Sequence, residues 1–92
     1  MLWTPAGPTV TAVAATATRF VPTTTSNVGG IARVSNTGTV LATFSLGGSS
    51  IANNAVIPLT GGQDLFIGFG QADTHINASS TDIRITPGVG VV

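Results

Sequence analysis

Glycine, proline and asparagine interrupt this chain so often that no segment of ten or more residues carries the 3.6-residue period of an amphipathic helix. Between the breaks stand short runs of Val, Ile, Thr and Phe, the residues that suit a pleated, half-buried surface. Residues 10–21 (VTAVAATATRFV) alternate loosely and read as a strand, with helix as the alternative that four alanines leave open. Pro22, the polar run 23–27 and Gly29-Gly30 read as a loop. Residues 31–36 (IARVSN), the turn Asn36-Thr37-Gly38 and residues 39–46 (TVLATFSL) read as a hairpin, with Gly38 at the position needing positive φ. In its second strand Val40, Ala42, Phe44 and Leu46 share one face.

After the Gly47-Gly48-Ser49-Ser50 break, residues 55–59 form a short strand limited by Pro58, and Gly61-Gly62 turns the chain. Leu65, Ile67 and Phe69 alternate with Phe66 and Gly68 along the strand that follows. Residues 75–78 and 82–86 complete the set, the latter with Ile83 and Ile85 inward and Asp82, Arg84 and Thr86 outward. About seven short strands spaced in this way predict an all-β fold, a small antiparallel β-sandwich or jelly-roll-like barrel. Residues 1–9, with Trp3, Pro5, Gly7 and Pro8, precede it as an extended N-terminal arm, so the expected organisation is an arm (1–9) and one sandwich domain (10–92).

The composition narrows the function more by exclusion than by motif. Three Arg balance three Asp, and the 92 residues contain no Lys, Glu, Cys or Tyr. A basic stripe for nucleic acid or anionic lipid is therefore missing, and a basic partner would meet no acidic surface. No apolar stretch reaches the eighteen or so residues of a membrane-spanning helix. The opening residues lack the basic n-region of a leader and contain two prolines, and are read as mature protein made in a cytoplasm. Mass scaling gives a folded surface of about 4,900 Å², roughly 63% of the chain's surface being buried. Such a thin core, with no cysteine to staple it, favours oligomerisation or docking on a larger partner. Only 7% of residues are charged, so Thr, Ser and Asn must wet the surface, as suits one that is covered in an assembly.

Chemistry-bearing residues are few. His75 is the single histidine; with Asp73 two residues earlier it could contribute to a metal site or a Ser triad, but no second His, Cys or Glu completes either, and an exposed turn or strand edge is the plainer reading. Gly68-Phe69-Gly70 lacks the third glycine of a dinucleotide fingerprint and is read as a strand end. Asn77-Ala78-Ser79 matches a glycosylation sequon that matters only in a secretory pathway. No enzyme activity, cofactor or metal is expected. Arg19, Arg33 and Arg84 are candidate interface charges, Arg being the better contact cation. Leu2, Trp3 and Pro5 are candidate partner-contact residues of the arm; Trp3 either plugs the domain's own core or anchors in a neighbouring subunit. Asn36 and Gly38 are the candidate structural turn. One Trp and no Tyr make poor platforms for sugar stacking.

The stretches IARVSNTGTVLATFSLGGSS, AVIPLTGGQDLFIGFGQADTHINAS and TDIRITPGVGVV, covering roughly residues 31–90, resemble a group of short virion proteins of tailed bacteriophages. Arg33, Val34, Asn36 and Gly38 match that group's hairpin, and Thr74, His75 and Ile76 match a later strand. The resemblance implies a capsid decoration (cement) protein, or a related minor head component, that sits on the outer surface of the assembled head at junctions between major capsid subunits and stabilises it. The implied partners are the major capsid protein and further copies of the chain, as a homotrimer or a dimer. A tail or head-fibre component and a small carbohydrate-binding β-sandwich module are the alternatives.

Overall fold

The computed structural model describes residues 2–20, 30–48, 57–69 and 74–90. It is all-β, with no helix among the described residues. The strands are β1 (Thr4–Pro5), β2 (Val10–Thr11), β3 (Thr18–Arg19), β4 (Gly30–Asn36), β5 (Ala42–Gly47), β6 (Ile57–Leu59), β7 (Asp64–Phe69), β8 (His75–Ala78), β9 (Ile83–Thr86) and β10 (Gly88–Val89). Two antiparallel four-stranded sheets, ordered β2-β9-β4-β7 and β3-β8-β5-β6, share one apolar core, and β1 pairs with β10 as a separate ribbon. The pairings β1·β10, β2·β9, β3·β8, β4·β7 and β5·β6 are nested one inside the next. A long hairpin rolled over itself in this way is a jelly roll, one form of the small antiparallel sandwich or barrel that the spacing of short strands predicted.

Period-2 alternation decides what the core receives. Ala32 and Val34 from β4, Ile83 and Ile85 from β9, Ala42 and Phe44 from β5 and Ile76 and Ala78 from β8 are all buried. Leu65, Ile67 and Phe69 of β7 close one side, and Phe69 meets Phe20 edge-on at 5.6 Å across the two sheets. The accessible surface, 4823 Å², is close to the value that mass alone predicts. Pro58 sits in β6, an edge strand, where its missing N–H costs no ladder bond.

The predicted hairpin between residues 31–36 and 39–46 does not form. β4 pairs with β7 over six residue pairs and with β9 over four, whereas β5 pairs with β6 and β8 in the opposite sheet. Alternation could not tell these arrangements apart, because a strand shows the same inward face to the core whether its chain neighbour lies beside it or across from it. The strand begins only at Ala42, so Val40 leaves the inward row and is exposed. Gly38 does not take a positive φ either; the left-handed glycine of this region is Gly62, at φ 78°. Asp82 crowds Gly38 instead, its Oδ2 lying 2.3 Å from where a Cβ would stand.

Residues 10–21 likewise yield two strands rather than one. β2 and β3 belong to opposite sheets, and a tight turn closed by Thr16 N–H to Val13 O (3.1 Å) separates them, with Ala15 in the left-handed region at φ 57°. His75, expected at an exposed turn or edge, is buried in β8, as is Asn77 of the sequon; Thr86, expected outward, is buried with its hydroxyl 2.8 Å from that of Thr9. Gly30, read as the end of the loop that starts at Pro22, instead opens β4, while residues 22–29 of that loop, Asp73, Gly70 and the start of the 55–59 strand lie outside the described residues.

Asn36 is where the roll turns from one sheet to the other. It is 2% exposed, and its Oδ1 accepts Gly38 N–H at 3.0 Å while Nδ2 donates to Val40 O at 2.8 Å and Leu59 O at 2.9 Å. Its backbone N–H donates to Gln63 O and its carbonyl accepts Gly62 N–H, both at 2.9 Å. Replacing Asn36 with Ala leaves the buried Leu59 carbonyl without this donor and the part-buried Val40 carbonyl to water, and at roughly 1–3 kcal/mol for a buried group left unpaired we expect a loss of about 2 kcal/mol. Urea unfolding of Asn36→Ala beside the parent protein measures it; a midpoint shift within error would show that the side chain does not hold the corner.

Candidate functional site

Four connections cross between the sheets at one end of the roll: residues 12–17, 37–41, 60–63 and 79–82. They are tied to one another. Thr37 donates to Asp82 O through both its N–H and its hydroxyl, at 2.9 Å each, and Ala15 N–H donates to Ala78 O at 2.8 Å. Thr43 and Ser79 exchange two bonds, Thr43 N–H to Ser79 Oγ at 3.0 Å and Ser79 N–H to Thr43 O at 2.9 Å. Thr60 and Gln63 close their own corner through the Thr60 hydroxyl and Gln63 Oε1. Side-chain hydroxyls thus satisfy the turns without a charge.

This corner end carries three of the five large apolar side chains exposed among the described residues: Val13 (52%), Val40 (66%) and Leu41 (60%). Around them stand Thr16, Thr37, Thr39, Thr60, Ser79 and Thr81, and the one charged residue within these four connections is half-buried Asp82. Half-buried Asp82 and the Arg84 guanidinium bonded to Thr81 O are the charges at this end, and a surface of valine, leucine and threonine with so little charge costs less to desolvate than an ordinary charged face, as suits a protein contact. The remaining two, Leu2 (80%) and Val89 (43%), sit on the β1·β10 ribbon.

The arm is extended but not loose. β1 pairs with β10, and Ala6 N–H donates to Pro87 O at 2.9 Å. Trp3 Nε1 donates to Ile31 O at 2.6 Å, its ring meets Phe66 edge-on at 5.4 Å, and the Arg33 guanidinium lies 5.6 Å from the ring centroid. Gly88 completes the seat: a Cβ there would stand 2.3 Å from the indole, so only glycine lets the backbone approach. Of the two sequence readings of Trp3, packing on its own domain is the one seen, although the indole covers the outer face of β4 rather than entering the core. Leu2 and Pro5 remain exposed.

The three arginines are not gathered. Arg33 and Arg84 stand on the outer side of the β2-β9-β4-β7 sheet, Arg33 over Trp3 and Arg84 donating from Nη1 to Thr81 O at 2.6 Å; exposed Arg19 belongs to the other sheet. The aromatic–cation stack was not foreseen, yet its signal is in the chain: Arg33 and Phe66 are the outward members of two alternating strands, and they are register partners. Among the described residues no three His, Cys, Asp or Glu side chains are placed to hold a metal ion, and no helix is long and apolar enough to cross a membrane. Comparison with protein-family models, curated proteins and solved structures returns no match to this chain.

Trp3→Ala removes a hydrogen bond and an aromatic contact but lets water reach Arg33 Nε, which is buried without a hydrogen-bond partner. We expect it to cost about 2 kcal/mol, and Trp3→Phe about 1 kcal/mol. Thermal unfolding ranks the variants; equal stability of all three proteins would mean that the arm is not docked in solution.

Proposed function

We propose that this protein is a non-enzymatic virion component, a decoration (cement) protein that binds the outer surface of an assembled bacteriophage head at junctions between major capsid subunits. The observation that carries the proposal is the corner end of the roll, where Val13, Val40 and Leu41 stand exposed among threonines with no fully exposed charge in the four connections. Such a surface is a poor solvent face and a good protein contact. Jelly rolls serve in viral capsid domains and in lectins. The lectin alternative is weakened by Trp3, whose indole is engaged by Ile31, Phe66, Arg33 and Gly88 and offers no open ring to a sugar.

In this scheme the corner end seats on the shell and adds buried area where neighbouring capsid subunits meet. At about 25 cal/mol per Å² of apolar area removed from water, roughly 800 Å² of mostly apolar contact gives a substantial gross term, from which the cost of ordering must be subtracted. Repetition over many lattice points then stabilises the particle even where each contact is modest. Leu2 and Val89, on the ribbon, remain available to a neighbour.

Mixing the purified protein with capsid shells that lack it, followed by electron cryo-microscopy, is the direct test. Ordered density at local three-fold or two-fold points of the outer lattice is expected, with Val40 and Leu41 against the shell. The double variant Val40→Asp, Leu41→Asp should lose at least tenfold in occupancy while melting within a few degrees of the parent, because both side chains are exposed. Density only at a tail or vertex would move the assignment to a fibre or tail component. Undiminished occupancy of the variant would take the corner end out of the contact.

A further inference from the structure

Among the described residues each sheet of the roll ends in two edge strands, and three of these four are blunted. β2 and β3 are two residues long, β3 carries Arg19, and β6 has Pro58 at its centre. Short strands, charge and proline are the devices by which sheet proteins avoid pairing with other chains. β7 has none of them in its interior. It runs six residues, DLFIGF, its single charge is on its first residue, Asp64, and within the described residues its sheet partner is β4 alone.

We propose that β7 is a self-association edge, pairing antiparallel with β7 of a second copy about a two-fold axis to join two four-stranded sheets into one of eight strands. Register follows from the side chains. Directly opposed residues share a face, so cores kept on the same side require like-facing residues to meet. Centring the axis on Phe66 would set Asp64 against Gly68 and ring against ring. Centring it on Ile67 sets Leu65 against Phe69 on the core side and Phe66 against Gly68 on the outer side, twice by symmetry, with Asp64 beyond these pairs. A bulky ring lying across a strand glycine is a stabilising arrangement, since the ring covers backbone that glycine leaves bare. Phe66 is held for this from the β4 side by Trp3, and Gly68 is exposed. The fit of Phe66 to Gly68 on the same strand selects a second copy over an unrelated extended segment as the occupant. A dimer of this kind does not rest on the decoration proposal and holds for the free protein.

Light scattering on the eluting full-length chain across the micromolar range tests it, together with amide hydrogen exchange of residues 64–69 at low and high concentration. A dimer mass is expected, with exchange in β7 slowing as concentration rises. Gly68→Lys is the diagnostic variant. A Cβ at Gly68 meets nothing closer than Gly30 O at 3.8 Å, an ordinary contact, so the domain accommodates the side chain while the pairing, with a charge set across from Phe66, does not. Its mass should halve with an unchanged far-ultraviolet spectrum. A monomer at every concentration, a trimer, or a Gly68→Lys protein that stays dimeric would overturn the proposal. If that variant fails to fold, the concentration dependence of β7 exchange in the parent protein decides: protection that does not change with concentration counts against the edge.

Discussion

The fold turns on the amide of Asn36. A jelly roll must carry its chain from one sheet to the other at every corner, and each crossing strands backbone groups that a simple hairpin would have paired. Asn36 resolves the central crossing from within: one side chain accepts from Gly38 and donates to Val40 and Leu59, while its own backbone is bonded to Gly62 and Gln63. The end of β4, the approach to β5, the end of β6 and the turn before β7 therefore meet at one buried, fully satisfied residue. An apolar side chain of similar size would fill the space and leave the carbonyls unpaired, and aspartate would bring no donor.

The same economy of charge marks the surface. Hydroxyls of Thr37, Thr60 and Ser79 close the corners, so no lysine or glutamate is needed to make those turns acceptable to water. Among the threonines exposed there stand Val13, Val40 and Leu41, and it is these three side chains that the proposed contact with a larger protein surface would use. At the other end of the chain's path the arm is latched by Trp3, whose seat depends on the backbone of Gly88 and on Arg33 and Phe66 meeting in register. The two ends thus divide the work: one presents side chains outward, the other ties the first residues of the chain to its last strands.

Much of the fold could be read along the sequence. The strand at residues 75–78 lies where its residue pattern placed it, Ile83 and Ile85 point inward, and Leu65, Ile67 and Phe69 form the inward row of β7. Asn36-Thr37-Gly38 was read as a hairpin turn, but the chain leaves β4 there to cross to the other sheet, with Gly38 not at positive φ. The candidate contact end was not recognisable, because Val13, Val40 and Leu41 come from separate connections and Val40 sits in phase with core residues Ala42 and Phe44. Nor was the Trp3–Arg33–Phe66 stack, whose members are brought together by β4·β7 pairing and by the return of the arm.

By itself, then, the sequence determined that this chain would be built from short strands, which residues on most of them would face inward, and that its surface would carry almost no charge. These are local properties, set by residue type and a period of two. The tertiary structure decided which strand lies beside which. β4 and β5, adjacent in the chain, stand in opposite sheets, β4 laddered with β7 and β9, and residues 10–20 divide between the sheets at a turn where Ala15 is left-handed. Pairing depends on competition among all strands for backbone partners and on closing a single core, and no local pattern records the outcome of that competition.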